Sequence, residues 1–338
     1  MSYLLPLGPF DQIWRGPQRI VLRVEGERIL DIERYDGYHA RDCAVRLRRL
    51  PLAHCYPLVN RICGVHSHHH ALAWTLCLEQ LAGLEVPPRA QVMRTALAEI
   101  ERITSHLLEC ARVIALLGLR DVFQRLFGLR ELALRAAQTI TGHRLVQDFA
   151  RPGGTQDDLH TDEHRELQAM LAALADDLER LVGRLWSHRG LRRRTAGVGV
   201  LAPPLLEALH IQGWIARASG SQADERRDHP YDAYSQGAPL RVTLSTGDVF
   251  ARLMTLAGEA FESSRWTRDL VRELPGGRWR GDLLDAVPPG TAVTTVEAPS
   301  GALRYRVVSD GGRAATVSIE SLARPDRMLL RAALAERL

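Results

Sequence analysis

The residues with the greatest capacity for chemistry lie in one short stretch, in which a cysteine is followed by a cluster of histidines. Cys63 and His66 are three residues apart, and His66 and His70 are four apart. On a helix, either spacing places two side chains on the same face. Zinc and nickel accept thiolate and imidazole ligands. The stretch therefore predicts a zinc or nickel site with Cys63 and His66 as its first ligands.

Two ligands are too few for such a site, because zinc usually takes three or four protein ligands. His54 and Cys55 lie shortly upstream and can contribute if the chain folds back at that point. The alternative is a polar cavity without a metal, whose side chains bind water or line a subunit interface. The sequence leaves both interpretations open.

The other cysteines do not form a disulfide framework. The chain has five cysteines at irregular spacing, and its first residues lack the basic and apolar segments of a secretory signal. We predict that Cys77 and Cys110 are small buried residues in helices. We also predict that the protein is cytoplasmic.

The composition is that of a soluble globular protein, with 338 residues, 46% of them hydrophobic and 25% charged. No run of about 18 apolar residues occurs, so no transmembrane segment is predicted. The net charge is only +4, and no nucleic-acid partner is expected. Two arginine clusters, Arg46–Leu50 and Leu191–Arg194, are typical of solvated surface, with contact to an acidic partner subunit as the alternative.

Helices must position the histidine cluster, and small β elements flank them. Apolar residues at steps of three and four, with glycines at the ends, predict helices. They are expected at about 65–82, 88–118, 121–141, 159–185 and 246–270. Alternating residues predict a hairpin at about 20–38, turning at Glu25-Gly26-Glu27, and strands at about 291–318. The predicted fold class is mainly α with flanking β elements (α+β).

Several segments resemble, in the same order, the large subunits of nickel–iron hydrogenases and the related 49 kDa subunit of respiratory complex I. "RICGVHS" at residues 61–67 resembles the family signature "RICGICS". The segments "EVPPRAQVMRTALAEIERITSHLL", "RPGG", "RTAGVGVL" and "ARASGSQADERRDHPYDAY" follow it. The likeness extends over residues 37–311 and is greatest to the membrane-bound, formate hydrogenlyase-type branch.

The resemblance implies a hydrogenase-large-subunit-like helical bundle in an electron-transfer complex. It implies an N-terminal β element at 1–50, a helical core at 51–290, and a truncated C-terminal β segment with a short helix at 291–338. It also implies binding of quinone and NAD by the complex, and a place on the inner face of the cell membrane. The expected partners are an iron–sulfur small subunit, which holds the iron–sulfur clusters, and membrane antiporter-like subunits.

The resemblance also assigns residues to a cavity on the quinone side. They are Arg61, Cys63, His66, His70, Glu101, Arg151, Asp224 and Arg226, with His106 at another family position. For Glu101, Arg151, Asp224 and Arg226 a structural role is favoured, because buried charges must be paired.

The sequence departs from the family at the metal ligands. The family uses four thiolates, but His66 stands where the second would be, and a neutral imidazole cannot bridge two metals as a thiolate does. No cysteine follows Cys110, so the C-terminal pair is expected to be missing. In the family, a tyrosine that holds the quinone lies near the position of Gly64, and an arginine stands where this chain has Ser300. We therefore expect neither a nickel–iron centre nor hydrogenase activity.

Three functions fit these observations, and whether the chain is itself an enzyme is left open. The first is a subunit of a membrane-associated complex that carries electrons from NADH, ferredoxin or formate to quinone or protons. The second is a non-catalytic structural or coupling subunit of such a complex. The third is a mononuclear metal-binding protein that uses Cys63 and nearby histidines.

Overall fold

The computed structural model of the protein describes residues 2–10, 16–38, 40–145, 148–281, 287–321 and 327–334. The helices are α1 (Cys43–Leu47), α2 (Tyr56–Val59), α3 (Ser67–Ala82), α4 (Pro88–Leu116), α5 (Arg120–Thr141), α6 (Thr161–Ser187), α7 (Arg189–Thr195), α8 (Pro203–Ala208), α9 (Trp214–Arg217), α10 (Glu225–Asp228), α11 (Val249–Arg272) and α12 (Arg327–Ala333). The strands are β1 (Ser2–Leu7), β2 (Arg19–Glu25), β3 (Arg28–Tyr35), β4 (Ala150–Arg151), β5 (Gly154–Thr155), β6 (Gly290–Ala298), β7 (Gly301–Ser309) and β8 (Ala314–Ser321). The predicted α+β class is confirmed.

Four long helices, α4, α5, α6 and α11, form a bundle in which each helix packs against two of the others. Their apolar residues recur at three- and four-residue steps and meet in one core, where Ile100, Leu126 and Leu171 are fully buried. Glycines in the left-handed conformation end two of the predicted helices, Gly83 (φ 64°) after α3 and Gly142 (φ 73°) after α5. The predicted positions of the long helices are confirmed to within a few residues.

The antiparallel sheet β6–β7–β8 packs against α3 and forms a second core. Leu72 and Trp74 of α3 meet Val296 of β6 and Tyr305 of β7 there. On its other side α3 contacts α4 of the bundle. The N-terminus of α3, which carries the histidines, is therefore held between a sheet and a long helix.

Several short elements have no counterpart among the sequence predictions. Strand β1 pairs with β2 and extends the predicted hairpin to three strands. Helices α1, α2 and α7–α10 are too short to show a period in the sequence. The "RPGG" loop is the turn of the small hairpin β4–β5, with Gly153 at φ 76°. The division of the chain at residues 50 and 290 stays a prediction.

Candidate functional site

The signature loop, residues 61–66, connects α2 to α3 and reaches the surface. Cys63 is half-buried, Gly64 is exposed and His66 is buried. Helix α3 begins at Ser67, and the backbone of His66 is not helical (φ −126°, ψ 40°). The prediction that Cys63 and His66 share a helix face is therefore wrong, because the helix starts after both residues.

His66 and His70 lie at the first turn of α3, but their rings bind to different elements. The amide of His70 donates to the carbonyl of His66 at 3.2 Å. Nε2 of His66 is 3.1 Å from Oγ of Ser105 on α4. Nδ1 of His70 is hydrogen-bonded to Oη of Tyr305 on β7 at 2.6 Å. The predicted spacing is thus present, while the two rings are held by separate neighbours.

Glu101 of α4 caps the N-terminus of α3. One carboxylate oxygen accepts the amide of His68 at 2.8 Å, and the other accepts the amide of His69 at 3.1 Å and its Nδ1–H at 2.5 Å. These amides have no partner within their own helix, and the helix dipole favours an anion at this end. Burial nevertheless raises the pKa of Glu101 to about 7, against the opposing effect of His68 and the two amides. The carboxyl can therefore change its protonation state at neutral pH.

Two other histidines of the cluster, His68 and His70, are neutral at pH 7. Burial lowers the pKa of His68 to about 4 and the pKa of His70 to about 3. Nε2–H of His68 donates to the carbonyl of Arg94 at 2.9 Å. The histidines behind the signature loop are thus neutral, whereas Arg41, which donates to the carbonyls of Arg61 and Ile62, places a charge on its exposed side.

A very different site lies two residues before Glu101 on the same helix. Arg226 is paired with Asp224 at 2.8 Å and with Glu99 at 3.1 Å, and Arg102 lies 3.3 Å from Glu99. Burial would raise the pKa of Glu99, but Arg102 and Arg226 outweigh it and hold the pKa at about 2. The predicted Asp224 and Arg226 are therefore brought together in a fully charged pair.

A third arginine, Arg217, extends these pairs toward α11 and β6. Arg217 binds Glu259 at 2.6 Å and Glu297 at 2.8 Å, and Nε2–H of His106 donates to Glu259 at 2.8 Å. Burial favours the neutral acid, yet Arg217 and His106 hold the pKa of Glu259 well below its usual value. We call these buried residues the ion-pair cluster: Glu99, Arg102, His106, Arg217, Asp224, Arg226, Glu259 and Glu297.

Two predicted site residues lie apart from these groups. Arg61 is exposed and donates to the carbonyl of Pro57 at 2.9 Å. Arg151 is half-buried, binds Asp148 at 3.0 Å and lies 4.7 Å from the centre of the Tyr56 ring. Arg61 thus holds the local backbone of its own segment, whereas Arg151 also connects its segment to Tyr56 of α2.

Sequence reasoning missed the partners that complete the site. Glu99 and Arg102 were detectable, because they are two opposite charges three residues apart in a helix whose neighbouring residues 96–98, 100 and 103 are apolar. No local pattern marks Arg217, Glu297 or Tyr305, which come from distant segments. Burial raises the pKa of Tyr305 well above its usual range, and the nearby thiols of Cys77, Cys43 and Cys63 add to this effect.

The described residues do not fit a metal centre. Within the ranges that the structure covers, no three His, Cys, Asp or Glu side chains are arranged to hold a metal ion. Cys55, proposed as an upstream ligand, is buried against the carbonyls of Pro51 and Leu47 at 3.4 and 3.7 Å. Cys77 and Cys110 are buried in helices, as predicted. Cys63 is thus the one thiol of the signature loop.

No helix among the described residues is long and apolar enough to cross a membrane. Residues 117–286 match the family profile of the respiratory-chain NADH dehydrogenase 49 Kd subunit. An NADH-quinone oxidoreductase subunit of Sinorhizobium medicae is 30% identical, over 91% of this chain and 83% of that protein. The chain belongs to the 49 kDa subunit family.

Hydrogenases are also among the relatives of this 49 kDa family member. The carbon monoxide-induced hydrogenase of Rhodospirillum rubrum is 27% identical, over 92% of this chain and 86% of that protein. Formate hydrogenlyase subunit 5 of Escherichia coli is 30% identical over 88% of this chain, which spans only 52% of that protein. The resemblance seen in the sequence, including its hydrogenase-like branch, is confirmed.

Proposed function

We propose that the protein is a subunit of a membrane-associated electron-transfer complex. It docks an iron–sulfur subunit, and electrons pass from that partner to a quinone or similar acceptor beside the signature loop. Membership of the 49 kDa subunit family supports this setting. The described residues offer no fit for a nickel–iron centre, so the proposal assigns no hydrogen chemistry to this chain.

The observation that carries the proposal is Glu101 behind the signature loop. Reduction of a quinone to a quinol takes up two electrons and two protons. A carboxyl with a pKa of about 7 can release and regain a proton near neutral pH. His69 Nδ1, at 2.5 Å, orients one oxygen of that carboxyl. The chain therefore contributes proton exchange beside the loop, while the electrons come from the partner.

Isolation of the native assembly tests this function. The protein is tagged, expressed in its own host and purified from mildly solubilised membranes. We expect an iron–sulfur subunit and hydrophobic antiporter-like subunits to be recovered in amounts comparable to the tagged chain. Recovery of a lone soluble monomer would contradict the proposal.

A purely structural or coupling subunit is the second candidate. It is favoured by the ion-pair cluster, in which every carboxylate faces an arginine or a histidine. Such a cluster fixes the positions of α4, α10, α11 and β6 without any reaction. The two candidates differ in one respect, which is whether turnover of the complex depends on the signature loop.

A further inference from the structure

A groove runs along the outer side of the bundle between α5 and α6. It consists of two adjoining cavities of about 270 and 310 Å³, which share Arg125, Leu181 and Arg184. Its floor is apolar, since Leu129, Leu181 and Leu185 are at most 9% exposed. The groove between the two helices is thus open, with an apolar floor and charged walls.

Of the three arginines that line this groove, Arg180 is paired with Asp177 at 2.6 Å, while the other two have no ion pair among the described residues. Arg125 and Arg184 are exposed, and neither has an ion pair or a side-chain hydrogen bond within the described part of the chain. Between Glu179 and Glu207 the chain carries six arginines and no acidic residue. Two of these six, Arg180 and Arg184, line the groove, and Trp186, two residues after Arg184, is 49% exposed.

Gly128 widens the groove at its centre. It lies inside α5, where glycine costs about 0.5–1 kcal/mol relative to alanine. A β-carbon added at this position would meet no atom within 4 Å, so packing within the described part of the chain does not require glycine. The missing side chain instead lets another backbone approach the groove closely.

We propose that this groove docks an acidic amphipathic helix from another subunit of the assembly. Two carboxylates of that helix would bind Arg125 and Arg184, and its apolar residues would cover Leu129 and Leu181. A concave apolar floor fits side chains better than it fits a flat layer of lipid headgroups. Asp177 also lines the groove but is paired with Arg180 at 2.6 Å, so Arg125 and Arg184 are the cations that the helix would bind. Arginine and aromatic residues are enriched where protein interfaces gain most of their affinity.

Site-specific crosslinking in the purified assembly tests the proposal, which rests on the proposed function for the existence of partner subunits. A photo-reactive p-benzoylphenylalanine is placed at Ser187, an exposed residue that lines the second cavity, so that the centre of the groove at Gly128 stays open for the helix. We expect one adduct, which mass spectrometry locates in a partner segment with at least two acidic residues within about one helical turn. The matched control places the same group at exposed Glu179 of α6, on the side away from Leu181, and should give no such adduct.

Charge reversal supplies the second measurement. We expect Arg125→Glu with Arg184→Glu to reduce the adduct at residue 187 more than about tenfold, because each lost charge-assisted hydrogen bond weakens binding. The control substitution is Arg165→Glu, at an exposed residue near the N-terminus of α6, and it should leave the adduct unchanged.

The outcomes separate this proposal from the proposed function. Recovery of the partner subunits without an adduct, or with an adduct to lipid, to a second copy of this chain or to a segment lacking acidic residues, overturns the groove proposal alone. Failure to recover any partner overturns the proposed function, and the groove proposal with it.

Discussion

Glu99 and Glu101 lie two residues apart on α4, and both are almost completely buried, yet their surroundings differ. Glu99 faces Arg102 and Arg226, which overcome the effect of burial and hold its pKa at about 2. Glu101 faces two backbone amides and a neutral histidine, and burial raises its pKa to about 7. Identical side chains on one helix thus become a permanent anion and an acid that titrates near neutrality.

The comparison separates the structural part of the polar interior from the part suited to chemistry. The ion-pair cluster is internally paired, and its arginines hold the pKa values of Glu99, Asp224 and Glu259 below their usual range, so it stabilises the packing of distant segments. The region behind the signature loop has few fixed charges and a carboxyl that can exchange a proton. Perturbed acids of the second kind are typical of functional sites.

The largest expected effect comes from breaking the ion-pair cluster. Arg226→Ala leaves Glu99 and Asp224 without their shared cation in the interior. We expect the free energy of unfolding to fall by about 3–5 kcal/mol, as it does when one partner of a buried ion pair is removed. Urea denaturation followed by circular dichroism measures the change.

Arg227→Ala is the matched control, because Arg227 is the next residue of α10 and is exposed. Its loss should cost at most about 1 kcal/mol. Equal effects of the two substitutions would mean that burial and pairing do not distinguish the cluster from the surface.

An effect of intermediate size is expected for Glu101→Gln, and it depends on pH. Because its pKa is raised from 4.5 to about 7, the folded protein binds this proton more tightly than the unfolded chain. The resulting stabilisation is complete below about pH 4.5 and is lost as the pH rises through about 7. The stability of the wild type relative to the variant should therefore fall by on the order of 3 kcal/mol across this range.

Glu99→Gln provides the contrast for that measurement. The pKa of Glu99 is lowered from 4.5 in the unfolded chain to about 2 in the folded protein. The stabilisation that its ionised form contributes is therefore complete above about pH 4.5 and is lost only as the pH falls toward about 2. The stability of the wild type relative to this variant should stay level between about pH 4.5 and 7.5. If the two variants gave parallel curves of relative stability against pH, Glu99 and Glu101 would not differ in their titration.

The smallest effect is expected at a solvent-exposed ion pair. Arg165 and Asp162 on α6 are 3.0 Å apart, with side chains 74% and 93% exposed. Arg165→Ala should change the free energy of unfolding by less than about 0.5 kcal/mol, because water screens the pair. A loss comparable to that of Arg226→Ala would show that the pairing itself, rather than burial, determines the effect.

The sequence predicts the long helices and the β2–β3 hairpin because each has a clear period, and because glycines mark the ends of some helices and the turn of the hairpin. Gly83 and Gly142 mark helix ends at left-handed positions. Strand β1 and the short helices could not be predicted, because a few residues cannot display a period. Their positions depend on contacts with distant segments, as in the pairing of β1 with β2.

The candidate site is only partly predictable, for a related reason. Resemblance to the family selected Glu101, Asp224 and Arg226, but nothing local connects Glu99 to Arg226, which lies 127 residues further along the chain. The prediction that Cys63 and His66 share a helix face was wrong, because helical spacing applies only within a helix and this helix begins at Ser67. The titration of Glu101 could not be predicted either, since it depends on burial and on the amides of another helix.

The most direct test of the proposed reaction site is the turnover of the purified assembly carrying Cys63→Ala and His66→Ala. Electron transfer from reduced methyl viologen to a water-soluble quinone is compared with that of the wild-type assembly and of an Arg165→Ala control. If the signature loop is the place of reaction, turnover should fall more than about tenfold, while the same subunits are recovered. Unchanged turnover in an intact assembly would contradict a reaction at the loop and leave the structural role.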